Sequence, residues 1–154
     1  HMFPDLSFSA PNLRIQRDTN QTVVWDLWRK KWVVLTPEEW VRQHVAHHFV
    51  SQLGYPSGRI ALEISLKVHA MTKRADMVVY SAQGKPILVV ECKAPNVAIT
   101  QSVMDQVARY NLALGVAILV VTNGQTTHCC RVNHHESSVE FISAIPTYAE
   151  MCVG

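Results

Sequence analysis

Two carboxylates and one lysine stand at a spacing that suits phosphodiester hydrolysis. Asp76 lies at the start of one apolar run, and Glu91 lies near the end of the next. The short link between the runs contains Gly84, as is typical of a β-hairpin. A hairpin places the start of its first strand beside the end of its second strand. We therefore expect Asp76 and Glu91 to meet at one rim of a sheet.

Lys93 follows Glu91 by two residues, so in a strand both side chains project from the same face. Carboxylate oxygens are the ligands that Mg²⁺ prefers, and the ion keeps further positions for water and phosphate. A lysine at this point can orient or deprotonate the attacking water and stabilise negative charge. The alternative is that these charges only mark strand ends and pair with each other. Their combination in an otherwise apolar strand favours the catalytic interpretation.

The strands that must position this site are visible in the apolar pattern. Residues 62–68 alternate apolar and polar side chains, which predicts a strand with one wet face. Residues 116–121 are uninterrupted apolar and precede an Asn-Gly turn, which predicts a strand buried on both faces. The remaining strands that we predict are 75–80, 86–92 and, as edge strands before a short tail after Pro146, 128–132 and 139–142.

A first helix is predicted from Pro37 to about Leu53, ending at Gly54. Thr36 can cap it, Pro37 suits the first helical position, and Glu39 falls three residues after the cap, which completes a capping box.

A second helix is predicted from about Thr100 to Leu114 and ends at Gly115. Its proposed apolar face consists of Val103, Val107, Tyr110 and Leu114. The order helix, three strands, helix, strand predicts an α/β fold with a mixed central β-sheet flanked by helices.

The first 35 residues carry short β-like runs around the polar turn 18–21, so we predict an N-terminal β arm or hairpin. With 154 residues and 48% hydrophobic content, we expect one domain over 1–154, with its core at 36–145. His1 before Met2 is typical of a tag remnant ahead of a native start, so we expect a whole small protein.

Four segments resemble a known family. KRADMVVY (73–80) and VECKAP (90–95) resemble the PD-(D/E)xK nuclease motif, and more narrowly the N-terminal nuclease domain of type I restriction enzyme R subunits. DQVARY (105–110) is similar to the QxxxY element that follows the catalytic lysine in that group. Residues 29–43 resemble small stand-alone proteins that carry this domain, so the likeness covers about 29–142. It implies a restriction-endonuclease-like core.

The resemblance also implies roles for individual residues. Asp76 and Glu91 would bind Mg²⁺, for which Mn²⁺ can substitute; the backbone carbonyl of Cys92 would add a ligand, and Lys93 would assist the nucleophile. Gln106 and Tyr110 are i and i+4 neighbours on a helix and would support the site or contact DNA.

Three further residues adjoin these motifs. Many family members place a glutamate on the first helix near the metal, and Glu39 is the nearest candidate, although its capping-box position explains it equally. Lys73 and Arg74 precede Asp76 and are candidate phosphate contacts.

Composition and missing motifs narrow the function. A net charge of +2 is too small to hold nucleic acid by charge alone, so DNA must be held by a local patch, by metal or by another subunit. The chain has no GxxxxGK[ST] loop, which excludes ATP-driven translocation by this chain alone. Candidate partners are DNA, other restriction or helicase/translocase subunits, and a second copy of the chain. No window reaches about 18 apolar residues, so we expect no membrane association and a cytoplasmic protein.

Two other functions remain open. A DNA-binding or assembly module that keeps the nuclease fold would agree with the low charge and the missing motor. A structural metal protein could use histidines and cysteines, but no CxxC or HExxH pattern is present and we expect no zinc. We interpret the four tryptophans as core anchors rather than base-stacking platforms.

Overall fold

The computed structural model describes residues 3–68 and 70–153. His1 and Met2, interpreted above as a tag remnant and a native start, lie outside the described residues. The elements are β1 (Ile15–Asp18), β2 (Gln21–Asp26), β3 (Lys31–Val34), α1 (Pro37–Ser51), a short 3₁₀ turn (Ser57–Arg59), β4 (Ile60–Val68), β5 (Met71–Tyr80), β6 (Pro86–Cys92), α2 (Gln101–Leu114), β7 (Ile118–Thr122), β8 (Thr127–Asn133), β9 (Ser138–Ile142) and α3 (Tyr148–Val153). None of the helices in these residues is long and apolar enough to cross a membrane.

The central sheet has six strands in the order β4-β5-β6-β7-β8-β9. Strands β6 and β7 are parallel, and every other neighbouring pair is antiparallel. This mixed sheet, with α1 before β4 to β6 and α2 between β6 and β7, confirms the predicted fold class.

Helices α1 and α2 cover opposite faces of the sheet. Val45 of α1 belongs to the same buried cluster as Val120 of β7, whereas Val107 of α2 belongs to the cluster that contains Val121. Adjacent residues of a strand point to opposite faces, so the two helices sandwich the sheet. All five residues of β7 are therefore buried, as its uninterrupted apolar sequence predicts.

The start of α1 is fixed by a local cap, but the capping box is incomplete. The Thr36 hydroxyl accepts a hydrogen bond from the Glu39 backbone N–H at 3.0 Å, and Pro37 opens the helix. The Glu39 carboxylate binds neighbouring polar side chains instead of returning to Thr36, whose N–H bonds Val34. The prediction of a full capping box was therefore wrong in its second half.

The buried face of α2 differs from the predicted one. Met104, Val107 and Asn111 are buried, whereas Tyr110 is 42% exposed. Tyr110 therefore does not belong to the core face, although the apolar spacing had predicted that it would. Gly115 ends the helix with φ of 75°, as expected for a left-handed C-terminal residue.

Three further differences concern strands and the tail. Strand β5 begins four residues before the predicted start because it pairs with β4 as far as Met71. Strand β8 was predicted at an edge but lies between β7 and β9, with Cys129 and Cys130 buried. The tail after Pro146 forms α3, which is tied to the core by the Tyr55 hydroxyl that donates to the Pro146 carbonyl at 2.7 Å.

The N-terminal residues form a three-stranded antiparallel sheet that packs on α1. Its anchor is Asp26, which is fully buried and accepts hydrogen bonds from the Trp28 N–H, the Arg29 N–H and side chain, and the Gln43 side chain. Ahead of this sheet, the Ser7 N–H donates to the Gly124 carbonyl at 2.8 Å.

The tryptophans do not all anchor the core. Trp40 is 6% exposed and its indole N–H donates to the Pro4 carbonyl at 2.9 Å. Trp25, Trp28 and Trp32 are half-buried. Trp25 and Trp32 meet edge to face, with the Arg14 guanidinium near both rings. Trp28 nevertheless packs against the main core cluster, so the interpretation as core anchors holds for Trp40 and Trp28.

Candidate active site

The site lies where pairing between β5 and β6 stops. The last register pair between these strands is Met77 with Val90, so Asp76 and Glu91 follow directly as facing neighbours outside the ladder. Strand β6 still pairs with β7 as far as Cys92. The Cys92 N–H, freed from β5, donates to Asp76 Oδ2 at 2.7 Å. The two carboxylates that were predicted to meet are therefore placed side by side by an opening in the sheet.

A backbone distortion in β4 faces the same point. Glu63 stands opposite Asp76, between the register pairs Leu62–Met77 and Ile64–Ala75, and has φ of 52°. A left-handed conformation costs a non-glycine residue roughly 1–2 kcal/mol, and such strain often accumulates at functional sites. Glu63 lies within the acidic cluster that surrounds Asp76.

Three carboxylates from three elements form that cluster: Glu38, Glu63 and Asp76 have oxygens within 4.8 Å of one another and could hold a metal ion. Arg42 lies among them. Its Nη2 is 2.7 Å from Glu38 Oε1, 2.7 Å from Glu63 Oε1 and 2.9 Å from Asp76 Oδ1.

Arg42 is only 3% exposed, and its charge is maintained by the surrounding acids. Burial disfavours the charged form, but the carboxylates of Glu39 and Asp76 outweigh it and raise the pKa of Arg42. The pKa of Glu38 is also raised, by burial and by the nearby Asp76 charge, although Arg42 opposes the rise. For a carboxyl group a raised pKa favours the neutral form.

Glu39 lies in a neighbouring network instead of in the three-carboxylate cluster. Its Oε1 accepts from Arg42 Nη1 at 2.5 Å, and its Oε2 accepts from Arg29 Nη2 at 2.5 Å and from Gln43 Nε2 at 3.1 Å. Both oxygens are engaged, and the residue is 4% exposed. Among the first-helix glutamates it is Glu38, and not Glu39, that reaches the Asp76 cluster.

Glu91 is a buried carboxylate with an unsatisfied oxygen. Its Oε1 lies 3.4 Å from Lys73 Nζ but has no hydrogen-bond partner within the described part of the chain. Burial and the charge of Asp76 raise the pKa of Glu91 to about 7, and Lys73 opposes that rise. An additional cation at this oxygen would satisfy the charge that burial disfavours.

A cleft of about 370 Å³ opens beside Glu91 between β5, β6 and α2. Lys93, Gln106 and Tyr110 line it together with Glu91. Lys73 and Arg74 line it as well, so six of the predicted site residues share one cavity. Tyr110 lies in this cleft because its side chain is exposed on α2 instead of packed in the core.

The two predicted phosphate contacts differ in their surroundings. Lys73 lines the cleft, and its Nζ lies 4.2 Å from the centroid of the Tyr110 ring. Its side chain is 14% exposed. Arg74 is 69% exposed at its side chain, and its Nε donates to Glu63 Oε2 at 2.6 Å. Both residues line the cleft, but Arg74 is largely exposed and accessible to a large ligand, whereas Lys73 is mostly covered.

No role at the site was predicted from the sequence for Glu38, Arg42 or Glu63. The i,i+4 spacing of Glu38 and Arg42 could have indicated an ion pair on α1. No local signal indicated that this pair would extend to Asp76.

The histidines considered for zinc are packed against aromatic rings. His44 contacts Trp40, His47 contacts Trp28, and His48 contacts Phe8. Burial lowers the pKa of each of these three histidines.

The donors at the site fit a hard divalent cation. They are carboxylate oxygens, and Glu91, whose Oε1 has no hydrogen-bond partner in the described residues, lines the cleft. The cleft adds a lysine and an amide-bearing side chain, which can contact a phosphate group.

Comparisons with known proteins show the family and the fold of the chain. The model of the family described as type I restriction enzyme R protein N terminus matches residues 37–146. A fragment assigned as an HsdR subunit of a type I restriction enzyme from Vibrio vulnificus has 22% identity and a TM-score of 0.53, over 77% of this chain and 25% of that chain. A protein assigned as a nuclease of DUF820 from Anabaena variabilis has 12% identity and a TM-score of 0.50, over 90% of this chain and 88% of that one. No curated protein sequence matches. The structural likenesses concern the fold, and this chain spans a quarter of the Vibrio chain.

Proposed function

The chain belongs to the family of type I restriction enzyme R protein N termini, and from this membership we propose that it is a Mg²⁺-dependent DNA endonuclease domain that hydrolyses phosphodiester bonds. The observation that carries the proposal is the opening between β5 and β6, where Asp76 lies beside Glu91, and Glu91 lines a cleft together with Lys93.

Asp76, Glu91 and the backbone carbonyl of Cys92 are the proposed ligands of Mg²⁺, and Mn²⁺ can replace it. When bound, the ion polarises the phosphate and lowers the pKa of an attacking water. Asp76 is already oriented by the Cys92 N–H, and the unsatisfied Glu91 oxygen adjoins the cleft. The residues present therefore supply hard oxygen donors where the resemblance to PD-(D/E)xK nucleases expects them.

Lys93 holds the attacking water and stabilises the negative charge that develops on the phosphate. Gln106 and Tyr110 belong to α2 and line the same cleft. In this position they contact the DNA backbone. Arg74, at the exposed edge, adds a phosphate contact, and Lys73 adds another when it leaves Glu91. Glu39 supports the site through Arg42.

The second candidate is a DNA-binding or assembly module that keeps the nuclease fold without cutting. One observation favours it: cations of the chain already pair with the site's acids, Arg42 with Asp76 and Lys73 with Glu91. A module of this kind would bind DNA or a partner without Mg²⁺ and would be insensitive to loss of Lys93.

From the family, the proposed location of the protein is the cytoplasm. The domain would act with DNA and with other restriction or translocase subunits, which supply the ATP-driven movement. A second copy of the chain would allow both strands to be cut.

The test is cleavage of plasmid and single-stranded DNA with Mg²⁺ or Mn²⁺. We expect the Asp76→Ala and Lys93→Ala variants to lose activity, by roughly 10²–10⁴-fold for the lysine. Lys67→Ala is a matched control because Lys67 is an exposed lysine of β4 outside the cleft lining. Activity that all variants retain would contradict the assigned site. The binding module would be favoured if no protein cleaves DNA with Mg²⁺ or Mn²⁺, while a gel shift in EDTA shows that DNA is bound.

A further inference from the structure

Arg42 is the most heavily engaged charged side chain at the site. One of its terminal nitrogens, Nη2, contacts Glu38, Glu63 and Asp76 within 2.9 Å, and the other contacts Glu39. The side chain is 4% exposed. The proposed chemistry assigns this residue no contact with substrate, yet it touches a proposed metal ligand.

We propose that Arg42 is a positioning residue for Asp76 and the resident cation of the acidic cluster, so that each chain binds a single divalent ion. The inference rests on the proposed function, because it assumes that Asp76 and Glu91 take the ion. It adds the number of ions and the residue that sets it.

The positioning part follows from the hydrogen bonds of Asp76. Oδ1 accepts from Arg42 and Oδ2 accepts from the Cys92 N–H at 2.7 Å. Two donors on two elements, α1 and β6, fix the rotation of the carboxylate. Residues that hold a ligand in this way typically contribute 10–100-fold to metal affinity.

The count of ions follows from the space between the acids. Carboxylate oxygens bind Mg²⁺ or Ca²⁺ at roughly 2.0–2.6 Å. The three oxygens that could converge on an ion instead converge on Arg42 Nη2, at 2.7 to 2.9 Å. An ion and a guanidinium nitrogen cannot occupy that position together. The position beside Glu91 remains, since its Oε1 has no hydrogen-bond partner in the described residues and its ion pair with Lys73 Nζ is long, at 3.4 Å.

Arg29 provides a matched comparison. It is likewise an arginine that pairs with acids of the N-terminal part, here Asp26 and Glu39, and it is half-buried, but no ion pair in the described part of the chain joins it to Asp76. Its loss removes structural ion pairs and leaves the orientation of Asp76 intact. A residue with a purely structural role at position 42 would behave in the same way.

The experiment is a Mn²⁺ titration followed by electron paramagnetic resonance of the free ion, with circular dichroism to verify folding. The proteins are the wild type, Arg42→Met, Arg42→Lys and Arg29→Met. We expect one ion for the wild type and for Arg29→Met, with equal Kd. Arg42→Met should bind two ions because the acidic cluster has lost its cation. Arg42→Lys keeps the charge but cannot reach Glu39 and Asp76 together, so it should bind one ion about 10-fold more weakly.

The outcomes distinguish failure of the inference from failure of the proposed function. Two ions in a wild type that cleaves DNA would overturn the inference and leave the proposed function intact. No Mn²⁺ binding by the wild type would overturn both. A folded Arg42→Met with one ion and the wild-type Kd would reduce Arg42 to a structural role. If Arg42→Met does not fold, an unchanged Kd in Arg42→Lys would overturn the inference equally.

Discussion

Lys73 Nζ lies 3.4 Å from Glu91 Oε1, in the cleft where it also lies above the Tyr110 ring. The ion pair joins β5 to the end of β6, next to the place where their pairing stops. It compensates part of the charge that Glu91 carries in a buried position. The strength of that compensation is measurable.

Replacing Lys73 by Met should raise the pKa of Glu91 above its value of about 7. The lysine charge opposes the rise that burial and Asp76 cause, so its removal leaves those two effects unopposed. The titration of the Glu91 carboxyl carbon by ¹³C NMR, in metal-free protein, would measure the change. Lys67→Met is the control, since Lys67 is an exposed lysine of β4. An identical Glu91 pKa in both variants would contradict the ion pair.

Replacing Glu91 by Gln should stabilise the metal-free protein at pH 8 but not at pH 4. The folded pKa of about 7 lies above the ordinary value of 4.5. The folded state therefore holds the proton more tightly, and this contribution to stability, complete below pH 4.5, is lost as the pH rises through about 7. The shift corresponds to at most about 3 kcal/mol.

Urea unfolding in EDTA at both pH values would measure the difference in the free energy of unfolding. Glu140→Gln, at an exposed position of β9, is the control. A stabilisation of Glu91→Gln that is equal at pH 4 and pH 8 would indicate that the effect is not ionisation.

The sequence predicted those parts of the site that depend on one strand or one turn. Asp76, Glu91 and Lys93 were predicted to lie together because a hairpin and a two-residue repeat fix their relation, and the structure places Asp76 beside Glu91 and Lys93 in the cleft with Glu91. The cap at Thr36 was found because capping is local, whereas the destination of the Glu39 side chain was not.

The rest depends on how α1 is rotated above the sheet. Whether Glu38 or Glu39 faces Asp76 is decided by that rotation, which no spacing along the chain reveals. The left-handed backbone of Glu63 lies in the middle of a strand, where a non-glycine residue gives no warning of it. Tyr110 was assigned to the core because an aromatic ring at helical spacing resembles a core residue as closely as it resembles a cleft residue.

Asp26→Asn should destabilise the protein by about 3–5 kcal/mol. The Asp26 carboxylate is fully buried and accepts from two backbone N–H groups and from Arg29, so its neutral replacement leaves that arginine's charge partly unpaired. Chemical denaturation would give the change in the free energy of unfolding. Asp18→Asn, at an exposed turn, should change it by less than about 0.5 kcal/mol. Equal effects would show that Asp26 does not anchor the N-terminal sheet.

Gly124→Ala should destabilise the protein more than Gly84→Ala does. Both glycines have positive φ, of 86° and 80°, so both alanine variants incur a backbone cost of about 1 kcal/mol. A Cβ at Gly84 meets open space, whereas one at Gly124 would lie 2.7 Å from the Leu6 side chain. Thermal melting of both variants separates the two effects. A Leu6→Ala background should remove the difference, and its persistence there would exclude the contact.

The contact between the first residues and the Gly124 turn also bears on where this chain can be divided. The matched family segment begins at residue 37, yet Pro4 and Ser7 bond to Trp40 and Gly124 inside that segment. Asp26 likewise bonds Gln43 of α1. A fragment cut at the family boundaries would therefore expose the indole of Trp40 and leave Glu39 without its partner Arg29. The segment matched by the family is therefore shorter than the segment that should be expressed. Fusions to other domains should keep the first 36 residues intact.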